Sequence, residues 1–249
     1  MAHSRQFMVE CLRDRPRLAK ALLDFNRLLP SRLREGALPE ALRPLHPLLQ
    51  RDLRASARLS LANQHLALSD AGAEERKKWG GENWIFDFSL PRHRLALLPG
   101  PLLLKLAAWF GLAHFRDEVA KLVRREDVLA LREAVGDDGR AFALRRSALL
   151  PGLRQAPPAF LTPGQDAAKP LTERIHLAGF AAVAVCLTDA APAIPSRLAA
   201  TMPDEFADRL LLAAKADAEA SEPEAAQVWP LLRTLIFKEI APEWEPCFL

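Results

Sequence analysis

The chain has 249 residues, of which 50% are hydrophobic and 26% charged, enough apolar material for a complete globular core. The net charge is only +3 and basic runs alternate with acidic ones, which argues against nucleic-acid binding because a phosphate backbone needs a one-sided basic surface. Cys11, Cys186 and Cys247 lie far apart and indicate neither a disulfide framework nor a structural zinc site. With no apolar leader at the N-terminus, these features predict a cytoplasmic protein.

The first third of the chain predicts helices and one extended segment. An amphipathic helix that ends at Pro30 is indicated by four apolar residues at helical spacing, Leu18, Leu22, Phe25 and Leu29. A second helix follows Pro47 toward Leu68. Residues 84–90 are strand-like and stop at Pro91, because Trp84, Phe86, Phe88 and Leu90 alternate with Ile85, Asp87 and Ser89. We therefore expect a mainly α protein with at most one or two short strands.

The central apolar run, "LALLPGPLLLKLAAWFGLAHFRDEVAKLV" at residues 95–123, is too short to cross a membrane. Only ten residues separate Arg94 from Lys105, whereas a spanning helix needs about 20 apolar residues. Pro101 suits the first turn of a helix, where its missing N–H costs nothing. Gly111 marks a predicted break before a second helix, Phe115 to Val123. The run thus predicts a helix that is buried on nearly all sides and lies at the centre of the fold.

The remaining chain continues the helical pattern within one predicted domain. Val128, Leu131 and Val135 lead to a turn at "GDDG", where Asp137 and Asp138 are typical turn residues rather than paired catalytic carboxylates. Residues 151–170 are rich in Pro and Gly and predict a long surface loop. Helices follow, the last of which stops near Pro242. The predicted parts of this single domain are an N-terminal helical part at 1–90, a central block at 97–152, the loop at 151–170 and C-terminal helices at 171–241.

Candidate catalytic residues are few. In "HFRDE", His114 lies one helical turn from Asp117 and Glu118, an arrangement that suits a general base or half of a metal site. A second pair of ligands is missing, so we interpret His114 as a surface or helix-end histidine. His176 has no partner nucleophile, and no phosphate-binding glycine motif is present. We expect no catalytic, metal or cofactor site, and keep an all-helical enzyme using His114 and Asp117 as an alternative.

The charge distribution and the C-terminal tail indicate two docking faces. Arginines crowd the first third of the chain, whereas Asp and Glu crowd the last fifth. In the tail "PEWEPCFL", we expect Trp244 and Phe248 to be exposed and to anchor a partner. Aromatic side chains that become buried on binding often supply most of the binding energy of a protein interface. We hypothesise that Arg32 and Arg34 meet one partner and that the tail meets another. Changes at these residues would then weaken association and leave stability nearly unchanged.

Two blocks of sequence resemble a known family. The block "LLPGPLLLKLAAWFGLAHFRDEVAKLVRREDVLALREAVGDDGRAFALRRSALLPG", residues 97–152, combines a Leu-rich helix, a Gly-containing break and amphipathic helices. The ending "WPLLRTLIFKEIAPEWEPCFL" adds an apolar-basic helix, a proline and a short Cys-containing tail. Together these blocks resemble the central region and C-terminal helix of the SctK family (YscK/PscK-like) of type III secretion systems.

The resemblance implies a non-enzymatic, mostly helical cytoplasmic adaptor of the sorting platform. Its expected partners are the cytoplasmic domain of an SctD-like inner-membrane ring protein and an SctQ-like pod protein. From the residues themselves we expect no nucleic-acid partner, no membrane insertion and no cofactor, and we expect a monomer when the protein is alone. The family has no short active motif, so no site residue is carried over. A helical secretion chaperone or regulator is the other alternative, although such proteins are usually smaller and acidic.

Overall fold

The computed structural model of the chain describes residues 7, 11, 13–27, 43–44, 46–52, 85–150, 169–213, 215 and 218–249. The chain divides into two compact units. Unit 1 comprises residues 1–98 and 190–214, and unit 2 comprises residues 99–189 and 215–249. The organisation into one domain of four parts stays a prediction.

The predicted mainly α fold is confirmed, and the described ranges contain no β-strand. The α-helices are α1 (Pro16–Arg27), α2 (His46–Arg51), α3 (Gly100–His114), α4 (Arg116–Ala120), α5 (Arg125–Ala141), α6 (Leu171–Val185), α7 (Ala193–Ala199), α8 (Asp204–Ala213), α9 (Ala218–Leu235) and α10 (Glu245–Phe248). A 3₁₀-helix of seven residues lies at Pro91–Leu97, and single 3₁₀ turns lie at Ser147–Leu149 and Pro242–Trp244. π-Helical turns lie at Phe142–Arg146 and Ile236–Ile240.

In unit 1, the amphipathic helix α1 forms as predicted and buries Leu18 and Leu22 completely. Its penultimate residue, Asn26, holds the segment that the sequence marks as strand-like. The Asn26 amide Nδ2 donates to the carbonyl of Ile85 at 2.8 Å, and its Oδ1 accepts from the Ile85 N–H at 2.7 Å. One side chain thus supplies the two hydrogen bonds that a neighbouring strand would supply, so the extended segment needs no sheet.

Buried arginines complete the polar interior of unit 1. The Arg94 guanidinium donates from Nε to the carbonyl of Phe88 at 2.9 Å and from Nη2 to that of Ser89 at 3.2 Å. Arg197 of α7 donates from Nη1 to Asn26 Oδ1 at 2.6 Å. Phe88 is fully buried, so its backbone carbonyl cannot hydrogen-bond to water. The bond from Arg94 satisfies this carbonyl and removes the free-energy cost of burying it without a partner.

In unit 2, the predicted buried helix is α3, and it packs closely against α6. It begins with Pro101 in its first turn and buries Leu103 and every residue from Leu106 to Ala113. At Gly111, an added Cβ would overlap the carbonyl oxygen of Ile175, and at Gly179 it would overlap that of Ala107. The pairing of residue 111 with 175 and of 107 with 179 shows that the two helices run antiparallel, backbone against backbone.

The predicted break at Gly111 is therefore wrong. Helix α3 continues through Gly111 to His114, and the chain turns at Phe115 before the short helix α4. Glycine is needed at position 111 for the close approach of α6 and not to end the helix, since any side chain would collide with the backbone of its neighbour. Sequence alone does not distinguish these two uses of a helical glycine.

The predicted turn at "GDDG" is a kink inside α5. Gly136 has φ 74° and ψ 167°, a backbone conformation that only glycine adopts readily, and the helix resumes beyond it. Asp137 accepts a hydrogen bond from Arg132 Nη2 at 2.9 Å, and this bond lowers the pKa of the Asp137 carboxyl. Both aspartates are exposed, as expected for turn residues. Residues 151–168 of the predicted surface loop lie outside the described residues.

The C-terminal helix α9 extends through the second π-helical turn and ends at Ile240, near Pro242 as predicted. Four residues of its predicted apolar face are fully buried, namely Val228, Leu232, Leu235 and Ile236. Beyond it the chain turns back, and the Phe248 ring lies 5.7 Å from the Trp229 ring and 6.1 Å from the Phe237 ring, centroid to centroid. The tail thus packs on the helix that precedes it.

We predict that Gly111→Ala and Gly179→Ala each destabilise the protein. Alanine gains about 1 kcal/mol of helix propensity over glycine, but the new Cβ must force two backbones apart, and overpacking of this kind costs more. We expect a net loss of roughly 2 kcal/mol or more in the free energy of unfolding, measured by urea denaturation.

Gly139→Ala is the matched control. Its added Cβ would lie 3.1 Å from Val135 Cβ and Cγ2 and 3.2 Å from Leu112 Cδ1, so it meets side chains and not the backbone of a neighbouring helix. We expect a change within about 1 kcal/mol. Equal losses in all three variants would contradict the backbone contact as the cause.

Candidate functional site

Of the two predicted docking faces, the structure describes the C-terminal one and not the one around Arg32 and Arg34. Arg32 and Arg34 lie outside the described residues, so their predicted role in binding a partner stays a prediction. Among the acidic residues of the last fifth, the structure places Asp204, Glu205, Asp208 and Glu222 at the surface. The exposed positions keep the acidic character that the sequence predicts for this part of the chain.

The expected exposure of Trp244 and Phe248 is wrong. Trp244 is 6% exposed and Phe248 is 3% exposed, with Cys247 also buried between them. The reason is the return of the tail onto α9, where Phe248 packs against Trp229 and Phe237. Burial of these rings removes apolar surface from water, so the tail stabilises unit 2 rather than presenting an aromatic anchor.

His114 is the last residue of α3, and its neighbours differ from the carboxylates that the motif "HFRDE" predicts. Its ring meets Phe115 edge-on at 4.8 Å, and its Nδ1 is buried with no hydrogen-bond partner. Glu118 pairs instead with Arg174 of α6, at 2.7 and 3.0 Å from its two carboxylate oxygens. Burial lowers the pKa of His114; the negative charge of Glu118 opposes that shift and the positive charge of Arg174 adds to it.

The structure does not bring His114 and Asp117 together as a catalytic pair. The Asp117 side chain is 80% exposed and lies 3.9 Å from Arg116, and no hydrogen bond joins it to His114. In the described ranges, no three His, Cys, Asp or Glu side chains are grouped so that they can hold a metal ion. None of the helices in those ranges is both long and apolar enough to span a bilayer.

One group of side chains that the sequence analysis did not single out surrounds Trp109 of α3. The Phe142 ring stacks on the indole at 4.5 Å, and the Lys105 Nζ and Arg146 Cζ atoms lie 4.6 and 5.3 Å from the ring centroid. Lys105 precedes Trp109 by one helical turn in an otherwise apolar helix, which is the sequence signal that locates it. Arg146 comes from a turn that the sequence does not place near α3.

We predict that Trp244→Ala lowers the free energy of unfolding by about 3–5 kcal/mol, because truncation of a buried tryptophan leaves a cavity. Leu249→Ala is the control in the same tail: Leu249 is 67% exposed, and we expect a change within about 0.5 kcal/mol. Thermal and urea denaturation measure both. A stable Trp244→Ala variant would restore the interpretation of Trp244 as a surface residue.

We also predict that His114 makes stability depend on pH. The folded-state pKa lies below the ordinary value of 6.5, so the unfolded chain takes up a proton that the folded chain does not as the pH falls through this range. The part of the free energy of unfolding that depends on neutral His114 is fully present above pH 6.5. It is lost as the pH falls through the lower pKa that His114 has in the folded protein. Between pH 7.5 and 5, the His114→Leu variant should therefore lose less of its free energy of unfolding than the parent protein. If the free energy of unfolding of the two proteins falls equally over this range, His114 is not the cause of the pH dependence.

Comparison with known proteins identifies the family. A sequence model described as YOP proteins translocation protein K (YscK) matches residues 27–249. The match includes both blocks on which the resemblance rests and also much of the first third of the chain. Among the curated proteins and the solved structures, none matches this chain significantly. Because the family match spans far more than half of the 249 residues, the chain belongs to the YscK family, the SctK proteins of type III secretion systems.

Proposed function

We propose that this protein is a non-enzymatic adaptor that links an SctD-like inner-membrane ring protein to an SctQ-like pod of the type III secretion sorting platform. Its place would be the cytoplasmic face of the inner membrane. The observation that carries the proposal is the family match over residues 27–249, which assigns the chain to a component of the secretion apparatus. This assignment favours a structural component over the alternative of a small secretion chaperone.

The geometry around His114 supports a non-enzymatic role. A general base needs a proton acceptor that is within hydrogen-bond reach of its substrate and is oriented by a second group. Here the carboxylate nearest in sequence, Asp117, points to solvent beside Arg116, and Glu118 is engaged by Arg174. The Phe115 ring contacts both the Arg174 guanidinium, whose Cζ lies 4.6 Å from the ring centroid, and the His114 ring. This packing supports a structural contact between α3, α4 and α6.

The two expected docking faces now differ in their support. The Arg32 and Arg34 face keeps its predicted role in binding a partner. The tail face is revised, because Trp244 and Phe248 are buried. A partner that binds this end of the chain would meet the exposed polar side chains of α9 and of the tail, such as Arg233 and Glu245, rather than an aromatic anchor.

The decisive experiment is reconstitution with the SctD-like cytoplasmic domain and the SctQ-like protein of the same genome. Size-exclusion chromatography with light scattering should show a three-component complex that forms only when this chain is present. We expect Arg32→Glu with Arg34→Glu to weaken one of the two associations and to leave the melting temperature unchanged. Arg124→Glu with Arg125→Glu, an equal charge change at exposed positions, is the control. Failure to bind either protein at low and moderate salt would overturn the adaptor proposal.

A further inference from the structure

Two segments of unit 2 meet at the Trp109 ring, and a third joins them through an ion pair with Arg146. Helix α3 supplies Trp109 and Lys105, the π-helical turn Phe142–Arg146 supplies the stacked Phe142 ring and Arg146, and the second π-helical turn supplies Glu239. Arg146 Nη1 lies 3.2 Å from Glu239 Oε2, and the Glu239 side chain is 13% exposed. Two cations are therefore held against one aromatic ring, and one of them is also tied to a carboxylate.

The three segments at this junction carry more basic than acidic residues. Helix α3 contains no acidic residue, and neither does the stretch from Phe142 to Leu149. The second π-helical turn contains a single acid, Glu239. Against it stand four bases in the same segments, Lys105, Arg145, Arg146 and Lys238. Bases therefore outnumber acids within these three segments, whereas the acids of α4, Asp117 and Glu118, lie on a helix that also packs against the turn Phe142–Arg146.

The cations at the junction remain accessible. The Arg146 side chain is 42% exposed, Arg145 is exposed, and Lys105 is half-buried with no carboxylate within ion-pair distance in the described part of the chain. Leu149, which follows Arg146 by three residues, is 77% exposed. Contact with the Trp109 ring restricts the Lys105 and Arg146 side chains, so less conformational entropy is lost when they bind a further group.

We propose that Lys105, Arg145, Arg146 and Leu149, here named the basic surface, dock an acidic segment of a partner protein that carries an apolar residue. Carboxylates of the segment pair with Lys105 and the arginines, and the apolar side chain covers Leu149. The biological meaning of this surface rests on the proposed role as a protein-binding adaptor. The three bases of this surface, one of which is paired with Glu239, are too few to follow a nucleic-acid backbone, which is held by an extended row of phosphate contacts.

The test uses the full-length protein and a short fluorescein-labelled peptide of glutamate residues around one central leucine. Fluorescence anisotropy at low salt measures its affinity. Lys105→Gln with Arg145→Gln should weaken binding roughly 2- to 20-fold, the range expected for the loss of two partly exposed ion pairs. Arg145→Gln alone, which leaves the Trp109 contacts intact, should show part of this loss. Leu149→Ser should weaken binding of the peptide but not of a peptide of glutamate alone.

Arg124→Gln with Arg125→Gln is the matched control, because it removes the same charge at the opposite end of α5. Equal losses in the control and in the Lys105 and Arg145 variant would overturn the proposal, since binding would then follow net charge alone. A single-stranded oligonucleotide that binds as tightly, and loses affinity in the same variants, would also overturn it. The assay contains neither SctD-like nor SctQ-like protein, so its failure is distinct from failure of the adaptor proposal.

Discussion

The backbone contact between α3 and α6 is the constraint on which unit 2 depends. At Gly111 and Gly179 the two helices approach until no side chain fits between them, and the neighbouring small residues, Ala107 and Ala178, keep the interface narrow. Such an approach gives each helix many dispersion contacts with the backbone of the other and allows weak Cα–H to carbonyl contacts. The remaining helices of the unit then pack around this pair, which explains why α3 is buried on nearly every side.

A helix buried in this way has few positions at which a polar side chain can reach water. In α3 these positions are taken by Lys105 and His114. Lys105 is the single lysine or arginine of α3, and its Nζ lies against the Trp109 ring, which Arg146 of the first π-helical turn also contacts. His114 comes where α3 ends and α4 begins, and the Arg174 side chain of α6 passes over the adjacent Phe115. Charge in unit 2 is therefore placed at the ends and margins of the central pair, where water can still reach it.

Family membership and structure contribute different information about function. The match over residues 27–249 assigns the chain to the type III secretion apparatus, which no residue in the structure shows by itself. The structure in turn corrects the expected mode of docking, because the C-terminal aromatic residues are used internally. Burial of Trp244 and Phe248 leaves charged side chains, such as Arg233 and Glu245, as the exposed groups at this end of unit 2.

The sequence by itself determined the class of fold and most helix positions, because helical periodicity and proline are local signals: α1, the first turn of α3 and the end of the C-terminal helix follow from them. It also located the central helix, since Pro101 marks its first turn and the apolar run around it is too short to span a membrane. Tertiary structure alone decided three matters. Gly111 is a contact point and not a break, Trp244 is buried, and Arg146 meets Trp109. Gly111 and Arg146 meet segments distant in the chain, and Trp244 is buried because the tail folds back on the preceding helix. Periodicity carries no information about which surface a residue will meet.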